Sequence, residues 1–313
     1  MMTSRGIAAR LSAVPAPAQG ALYMIAAAFG FSLMNMFIRI AAAELHPFAI
    51  AFFRNLFALV FILPWLVSTG LSGLRTQRLG THLLRGLFGI TAMLSWFSAV
   101  VLLPLGEAVA LNFTVPLFAT AGAALFLGEV VGVRRWAATF VGFLGVLIVL
   151  RPGFAEVTPA MALPIVASVF MAASVLLVKS LSRTERPAAI VFYLNVILTP
   201  LSLGPALFYW QWPSWSVLAA LLALGLFATF AQLALTQAFS KAEASAIIPF
   251  DYARLPFIAV MAYFAFGEIP SAWTWPGAAV IASAAIYIAR REAHVARLRA
   301  ASGAAGESPR AHI

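Results

Sequence analysis

The chain has 313 residues, 63% of them hydrophobic and only 10% charged, with a mean hydropathy of +0.97. These values exclude an ordinary soluble domain and describe an integral membrane protein. The formal charge of +10 sits in short segments between apolar runs, a pattern of orientation signals rather than a nucleic-acid surface, and the absence of cysteine excludes disulfides, thiolate nucleophiles and sulfur-ligated metals.

Residues 1–19 form a polar tail with Arg5, Arg10, Pro15 and Pro17 and no apolar core. The run Ala21–Ile38, followed by Ala41-Ala42-Ala43, imitates a signal peptide. Its apolar core exceeds the roughly 7–15 residues of such peptides, so it reads as a retained first transmembrane helix. Ten apolar segments of spanning length follow from hydropathy and from delimiting charges, prolines and glycines: 20–38, 47–67, 83–103, 106–127, 135–150, 160–178, 187–209, 214–238, 243–266 and 273–290. With a cytoplasmic N-terminus, sixteen of the Lys and Arg residues, from Arg5 and Arg10 through Arg85 to Arg310, collect on one face. The other face keeps Arg39 and Arg151, while Arg54 and Arg254 remain inside spans. That asymmetry predicts both termini in the cytoplasm, an even number of spans and residence in the plasma (inner) membrane. The segment 291–313 reads as a cytoplasmic tail that frays.

The chain also resembles itself. At a shift of 140, Arg39 falls on Lys179, Pro47 on Pro187, Ile50 on Ile190, Phe52 on Phe192 and Asn55 on Asn195. At 139, Gly128-Glu129 falls on Gly267-Glu268, Trp136 on Trp275 and Arg151 on Arg290; at 136, Glu107 falls on Glu243 and Gly89 on Gly225. Two repeats, 20–151 and 152–290, each with five spans, must cross the membrane in opposite senses, which is an inverted-repeat architecture with a solute site near the midplane.

The ninth segment carries the densest chemistry. In Pro249-Phe-Asp-Tyr-Ala-Arg-Leu-Pro256, Asp251 and Arg254 stand three residues apart and would share a helix face, while the prolines loosen the backbone around them. Charges at membrane depth cost several kcal/mol unless paired or hydrated, so they mark a site. Asp251 reads either as a proton-exchanging group or as a fixed partner of Arg254. Arg54 reads as an anchor for a carboxylate or phosphate-like group, as a switching partner of Asp251, or as a permanent structural ion. Glu107 and Glu243 open the fourth and ninth spans, where a helix N-terminus favours an acid; they are the candidates for gating or coupling. Glu129 and Glu268 are expected at the membrane surface. Asn112, with Trp96 and Tyr252, completes the candidate solute-binding set of Arg54, Trp96, Asn112, Asp251, Tyr252 and Arg254. Against this stand plainer roles, interhelical hydrogen bonding for Asn55, Asn112 and Asn195 and packing for the aromatics. The four histidines show no metal-pair spacing on one helix, and no phosphate loop or catalytic triad is visible, so neither an enzyme, a metal site nor an ATP-driven pump is expected.

Two halves of five spans, with Gly128-Glu129 and Gly267-Glu268 closing the fourth and ninth and Arg151-Pro152-Gly153 after the fifth, resemble the EamA family of the drug/metabolite transporter superfamily. The resemblance covers residues 20–290. It implies an all-α integral membrane protein of ten transmembrane helices, built as two inverted five-helix repeats, that carries small organic solutes by alternating access without a cofactor. Family members include importers of riboflavin or S-adenosylmethionine and exporters of amino acids or metallophores. The expected function is therefore secondary active transport of an amino-acid-like, vitamin or nucleoside-like solute, with a channel or structural membrane subunit as the alternative. The expected partners are that solute and the lipid bilayer, not nucleic acid; proton or ion coupling and a homodimer stay open.

Overall fold

The computed structural model describes residues 15–70, 74–103, 111–150, 158–267, 272–273, 275–284, 286–287 and 290. Among them there are helices and connections and no strand. In chain order the helices are α1 (Ala16–Ala41), α2 (Pro47–Thr69), α3 (Leu79–Leu102), α4 (Val115–Phe126), α5 (Val133–Leu150), α6 (Ala162–Leu181), α7 (Pro187–Phe208), α8 (Trp215–Lys241), α9 (Ala244–Ile247) and α10 (Arg254–Phe266). A last apolar helix, α11, covers Trp275–Ala284. Among the described residues, six stretches are long and apolar enough to cross a membrane: Ala16–Ala41, Pro47–Ser68, Pro159–Leu181, Pro187–Phe208, Trp215–Lys241 and Ala244–Phe266. The molecule is a multi-pass membrane protein.

Local chemistry sets several of the helix starts. Pro47 and Pro187 occupy the first positions of α2 and α7, where the missing N–H would have no helical partner anyway. His46 Nδ1 accepts from the Phe48 amide, and Ser214 Oγ caps α8 by accepting from the Val217 amide. Gly128 and Gly267, which follow α4 and α10, both take φ of 66°, a left-handed conformation that favours glycine.

Small residues let the helices close up. The long pair α1–α8 forms the backbone of the bundle, with α3 on α6, α2 on α7 and α8, α3 on α7, α10 on α1 and α4 on α6. A Cβ at Gly30 of α1 would lie 2.8 Å from the Phe230 ring and 3.0 Å from Ala231 of α8. One at Gly225 would lie 2.4 Å from Phe57 of α2, and one at Gly86 would lie 2.4 Å from Ile197 of α7. In the absence of a hydrophobic driving force between helices, such close approach is what holds a membrane bundle together.

Two segments differ from continuous spans. The fourth is interrupted: Leu111 and Asn112 are helical, Phe113 and Thr114 form a turn, and α4 then runs for 12 residues from Val115. The ninth is interrupted: α9 gives way to a 3-10 turn at Ile248–Ala253 before α10 resumes at Arg254. Pro116, Pro249 and Pro256 lack the amide hydrogens that an unbroken α-helical ladder would use there, and such breaks at membrane depth are tolerated where protein surrounds them.

Candidate functional site

The interruption of the ninth segment puts its two charges together. The Arg254 guanidinium donates to Asp251 Oδ1 at 2.6 Å. The pair forms between a 3-10 turn and the first residue of α10, not along one continuous helix as the spacing predicts. The guanidinium carbon lies 4.6 Å from the centre of the Phe31 ring on α1, a cation–π contact. Beside it Ser32 Oγ donates to the Arg254 carbonyl at 3.1 Å. The two charged side chains retain 26% and 18% of their exposure, whereas Arg254 Nε is buried without a partner. The site is thus neutralised within itself yet still carries a spare donor.

Tyr252 goes the other way. It is fully buried, its ring packs where a Cβ on Gly142 of α5 would lie 2.4 Å from it, and Phe113 stacks loosely at 6.2 Å. Its hydroxyl has no partner. Asn112, just before α4, donates towards Ser168 Oγ at 3.4 Å, and Ser168 in turn donates to the Asn112 and Leu111 carbonyls, tying this turn to α6. Trp96 packs with Leu103, Ala160 and Leu163, apart from the Asp251–Arg254 pair.

Arg54 meets neither acid. It donates to Asn55 Oδ1 at 2.9 Å and approaches the Met34 sulfur at 3.3 Å, so Asp251 pairs with Arg254 and not with Arg54. Asn55 continues to Ser202 of α7 at 3.2 Å, an interhelical bond. Glu107 lies outside the described residues.

Glu243 does stand at the N-cap of α9, but its carboxylate leaves the helix and pairs with Arg135 of α5 at 2.6 Å. The helix terminus is served instead by Glu129, which accepts from the Ala244 and Ser245 amides at 2.7 and 2.9 Å and from Ser245 Oγ at 2.7 Å. Glu129 is therefore buried, with three donors in place of water. Lys179 of α6 completes this end by donating to the Phe239 and Ala242 carbonyls at the end of α8. A second polar seam lies at the start of α3: Glu185 accepts from Thr76 Oγ1 and meets His82 Nε2 at 2.7 Å, while Arg78 donates to Ser180. At the α1–α2 turn, Glu44 accepts from the Ser214 hydroxyl and amide, which holds its carboxyl below the usual range.

One residue of the interior escaped the sequence reading altogether. Arg85, assigned by the orientation count to the cytoplasmic face, is only 2% exposed and lies within the bundle. It stands seven residues into α3, close enough to the helix start to pass as an end charge. The flanking Gly86, pressed against Ile197, marks the same helix face as closely packed and was the available signal. Among the described residues no group of three or more His, Asp or Glu is placed to hold a metal ion.

The model of the EamA-like transporter family matches the chain twice, over residues 18–151 and 158–290. The riboflavin transporter of Vibrio cholerae is 37% identical over 286 residues, covering 90% of this chain and 96% of that protein. The S-adenosylmethionine uptake transporter of Rickettsia prowazekii is 33% identical over 257 residues, covering 82% and 87%. One crystal structure superposes with a TM-score of 0.71 at 19% identity, covering 85% of this chain and 98% of its own.

Proposed function

The chain belongs to the EamA-like transporter family of small-metabolite transporters, and from that premise we propose that it is a secondary active carrier that takes up a flavin-like vitamin through a central site at the interrupted ninth segment. The architecture we propose is ten helices in two inverted repeats, 20–151 and 152–290, between the tails 1–19 and 291–313. Support comes from the packing: exchanging α1 with α6, α2 with α7, α3 with α8 and α4 with α10 turns the pair α1–α8 into α6–α3, α2–α8 into α7–α3 and α1–α10 into α6–α4, all of which are packed pairs. Gly128 and Gly267 share their φ of 66° at matched positions, and the family model matches each half separately. Both termini lie in the cytoplasm and the protein resides in the inner membrane on this reading, in keeping with the charge asymmetry.

The observation that carries the choice of solute is the charge content of the bundle. Among the described residues within it, the bases Arg54, Arg85, Arg254 and Lys179 outnumber the acids Asp251 and Glu129. A cationic sulfonium such as S-adenosylmethionine would enter against this surplus, whereas an uncharged, acceptor-rich heterocycle such as riboflavin would not. The relative named for riboflavin is also more similar and covers more of the chain. The binding residues on this reading are Arg54, Arg254 and Asp251, with Asn112, Tyr252 and Trp96 shaping the walls. Glu243, paired with Arg135, acts at the gate, and Glu107, its sequence counterpart in the first half, is assigned the same part.

The test is uptake of radiolabelled riboflavin and S-adenosylmethionine by vesicles containing the purified protein. Saturable riboflavin uptake with trans-stimulation and no competition by S-adenosylmethionine is expected. Saturable uptake of S-adenosylmethionine alone would overturn the solute, and linear, non-exchanging flux would turn the reading to a channel.

A further inference from the structure

Arg85 is only 2% exposed and, like Arg54, has no carboxylate partner among the described residues. Its NH1 group donates to the Ile190 carbonyl of α7 at 2.9 Å and its NH2 group to Gln232 Oε1 of α8 at 3.3 Å, while Nε has no partner. A guanidinium offers five N–H donors in a fixed planar fork, so most of its capacity is unused, and among the described residues no carboxylate touches it. The neighbouring cations are better served: Arg254 has Asp251, and Lys179 has two helix-end carbonyls. Leaving donors unpaired in a low-dielectric interior is costly, and an arginine kept there is a functional group by default.

Its position fits a solute. Gln232 follows Ala231, the residue against which Gly30 of α1 packs, and Gly30 precedes Phe31, the ring beneath Arg254. Through Gln232 and through Phe31, Arg85 and Arg254 thus reach the α1–α8 pair close to where Gly30 meets Ala231, while Arg85 itself stands seven residues into α3 and its acceptor Ile190 four residues into α7. Arg254 is neutralised by its own neighbour; Arg85 is not. The acceptor beside it, Gln232 Oε1, can take a second hydrogen bond, since an amide oxygen has two lone pairs.

Building on the carrier reading above, we propose that Arg85 and Gln232 form a recognition site for a planar acceptor edge in which carbonyl oxygens flank an N–H, the edge a pyrimidinedione ring presents. The unused Arg85 donors meet a carbonyl oxygen, and Gln232 Oε1 accepts from the N–H. The isoalloxazine of a flavin carries this edge, as do uridine and orotate. The site would read hydrogen bonds, while Asp251 and Arg254 balance charge, so specificity and coupling are divided between the two flanks of the α1–α8 pair.

The experiment uses the full-length protein, wild type and the variants Arg85→Met, Arg85→Lys and Gln232→Ala. Thermal stability without solute, stabilisation by riboflavin, N3-methylriboflavin, uridine and orotate, and riboflavin KM and kcat are measured. Losing hydrogen bonds to a charged donor predicts a KM raised about 10- to 100-fold in Arg85→Met at little change in kcat. Arg85→Lys, which keeps the charge without the fork, stays close to Arg85→Met. Solute-free stability of Arg85→Met is unchanged or higher, because an uncompensated buried charge is gone. Wild type discriminates against N3-methylriboflavin, and the discrimination disappears in Gln232→Ala. Should riboflavin fail to bind while uridine or orotate stabilises wild type but not Arg85→Met, the flavin reading falls and the recognition site stands. Should Arg85→Met melt at lower temperature with every solute response intact, or should no solute response depend on Arg85, the site is overturned and Arg85 is a clamp joining α3 to α7 and α8.

Discussion

The two interrupted segments, the turn before α4 and the 3-10 turn before α10, share a backbone device and differ in what it presents. Each places a turn ahead of a half-helix with a proline in its first three residues, Pro116 or Pro256, and each is pinned by a serine of the facing helix, Ser168 for the first and Ser32 for the second. The first offers only Asn112 in a neutral hydrogen-bond cluster; the second offers Asp251 and Arg254 at 2.6 Å over an aromatic ring. Half-helix termini near mid-membrane are a recurrent way to build a solute site from a duplicated chain. On the proposed two-repeat reading, the shared scaffold tolerates polarity on either side, and chemistry enters where one copy departs from the other.

The largest expected effect comes from erasing that departure. Arg254→Ala strands Asp251, and breaking a buried pair by removing one partner costs about 3–5 kcal/mol, so transport and stability should fall together. The double change Asp251→Asn with Arg254→Gln makes the ninth segment as neutral as the fourth and strands no charge. It should insert and fold yet lose transport, whereas Asn112→Ala should transport at a rate within a few-fold of wild type. Uptake in vesicles normalised to folded protein checks both; a fully active double variant would show that the pair is scaffold.

A smaller effect tests the packing behind the pair. The Tyr252 ring fits against Gly142, where an added Cβ would lie 2.4 and 2.7 Å from ring atoms. At a shift of 139 the position matching Gly142 is Ile281, a buried residue of the cluster that also holds Phe113. The ninth segment therefore needs a glycine where the fourth meets an isoleucine. Overpacking a core costs about 1–3 kcal/mol, so Gly142→Ala should lower the melting temperature by about 5 °C. Gly204→Ala, with nothing within 4 Å of its new carbon, should leave it unchanged. Equal effects of the two changes would refute the fit.

The apolar, all-helical character and the matched landmarks of the two halves were legible because hydropathy and residue identity survive without coordinates: Pro47 and Pro187 do open helices, and Gly128 and Gly267 do take the same left-handed turn. The Asp251–Arg254 pair was legible because only one base lay within reach along the chain. What could not be read was partnership across the chain. Glu129 and Glu243 exchange their expected roles because Arg135, more than a hundred positions from Glu243, draws that carboxylate away from its own helix. Arg85 looked like an end charge because depth along α3 says nothing about whether α7 and α8 cover it. Sequence periodicity gives a face; only packing gives the neighbour.

The smallest effect concerns a second matched pair. Glu44, after α1, clasps Ser214 at the start of α8, and Glu185, after α6, clasps Thr76 and His82 at the start of α3. The first clasp is exposed and the second is sheltered, so they should respond differently to solvent and salt. The Glu44 carboxyl is depressed, first by the Ser214 hydroxyl and then by its amide. A depressed acid contributes stability that is complete above its unfolded value, about 4.3 for glutamate, and that is lost as pH falls through the lower folded value. Glu44→Gln should therefore melt slightly below wild type at neutral pH, with the gap closing below about pH 4. A gap that persists into acid would mean that the carboxylate charge is not what holds Ser214, and that the exposed clasp works by shape and hydrogen bonding alone.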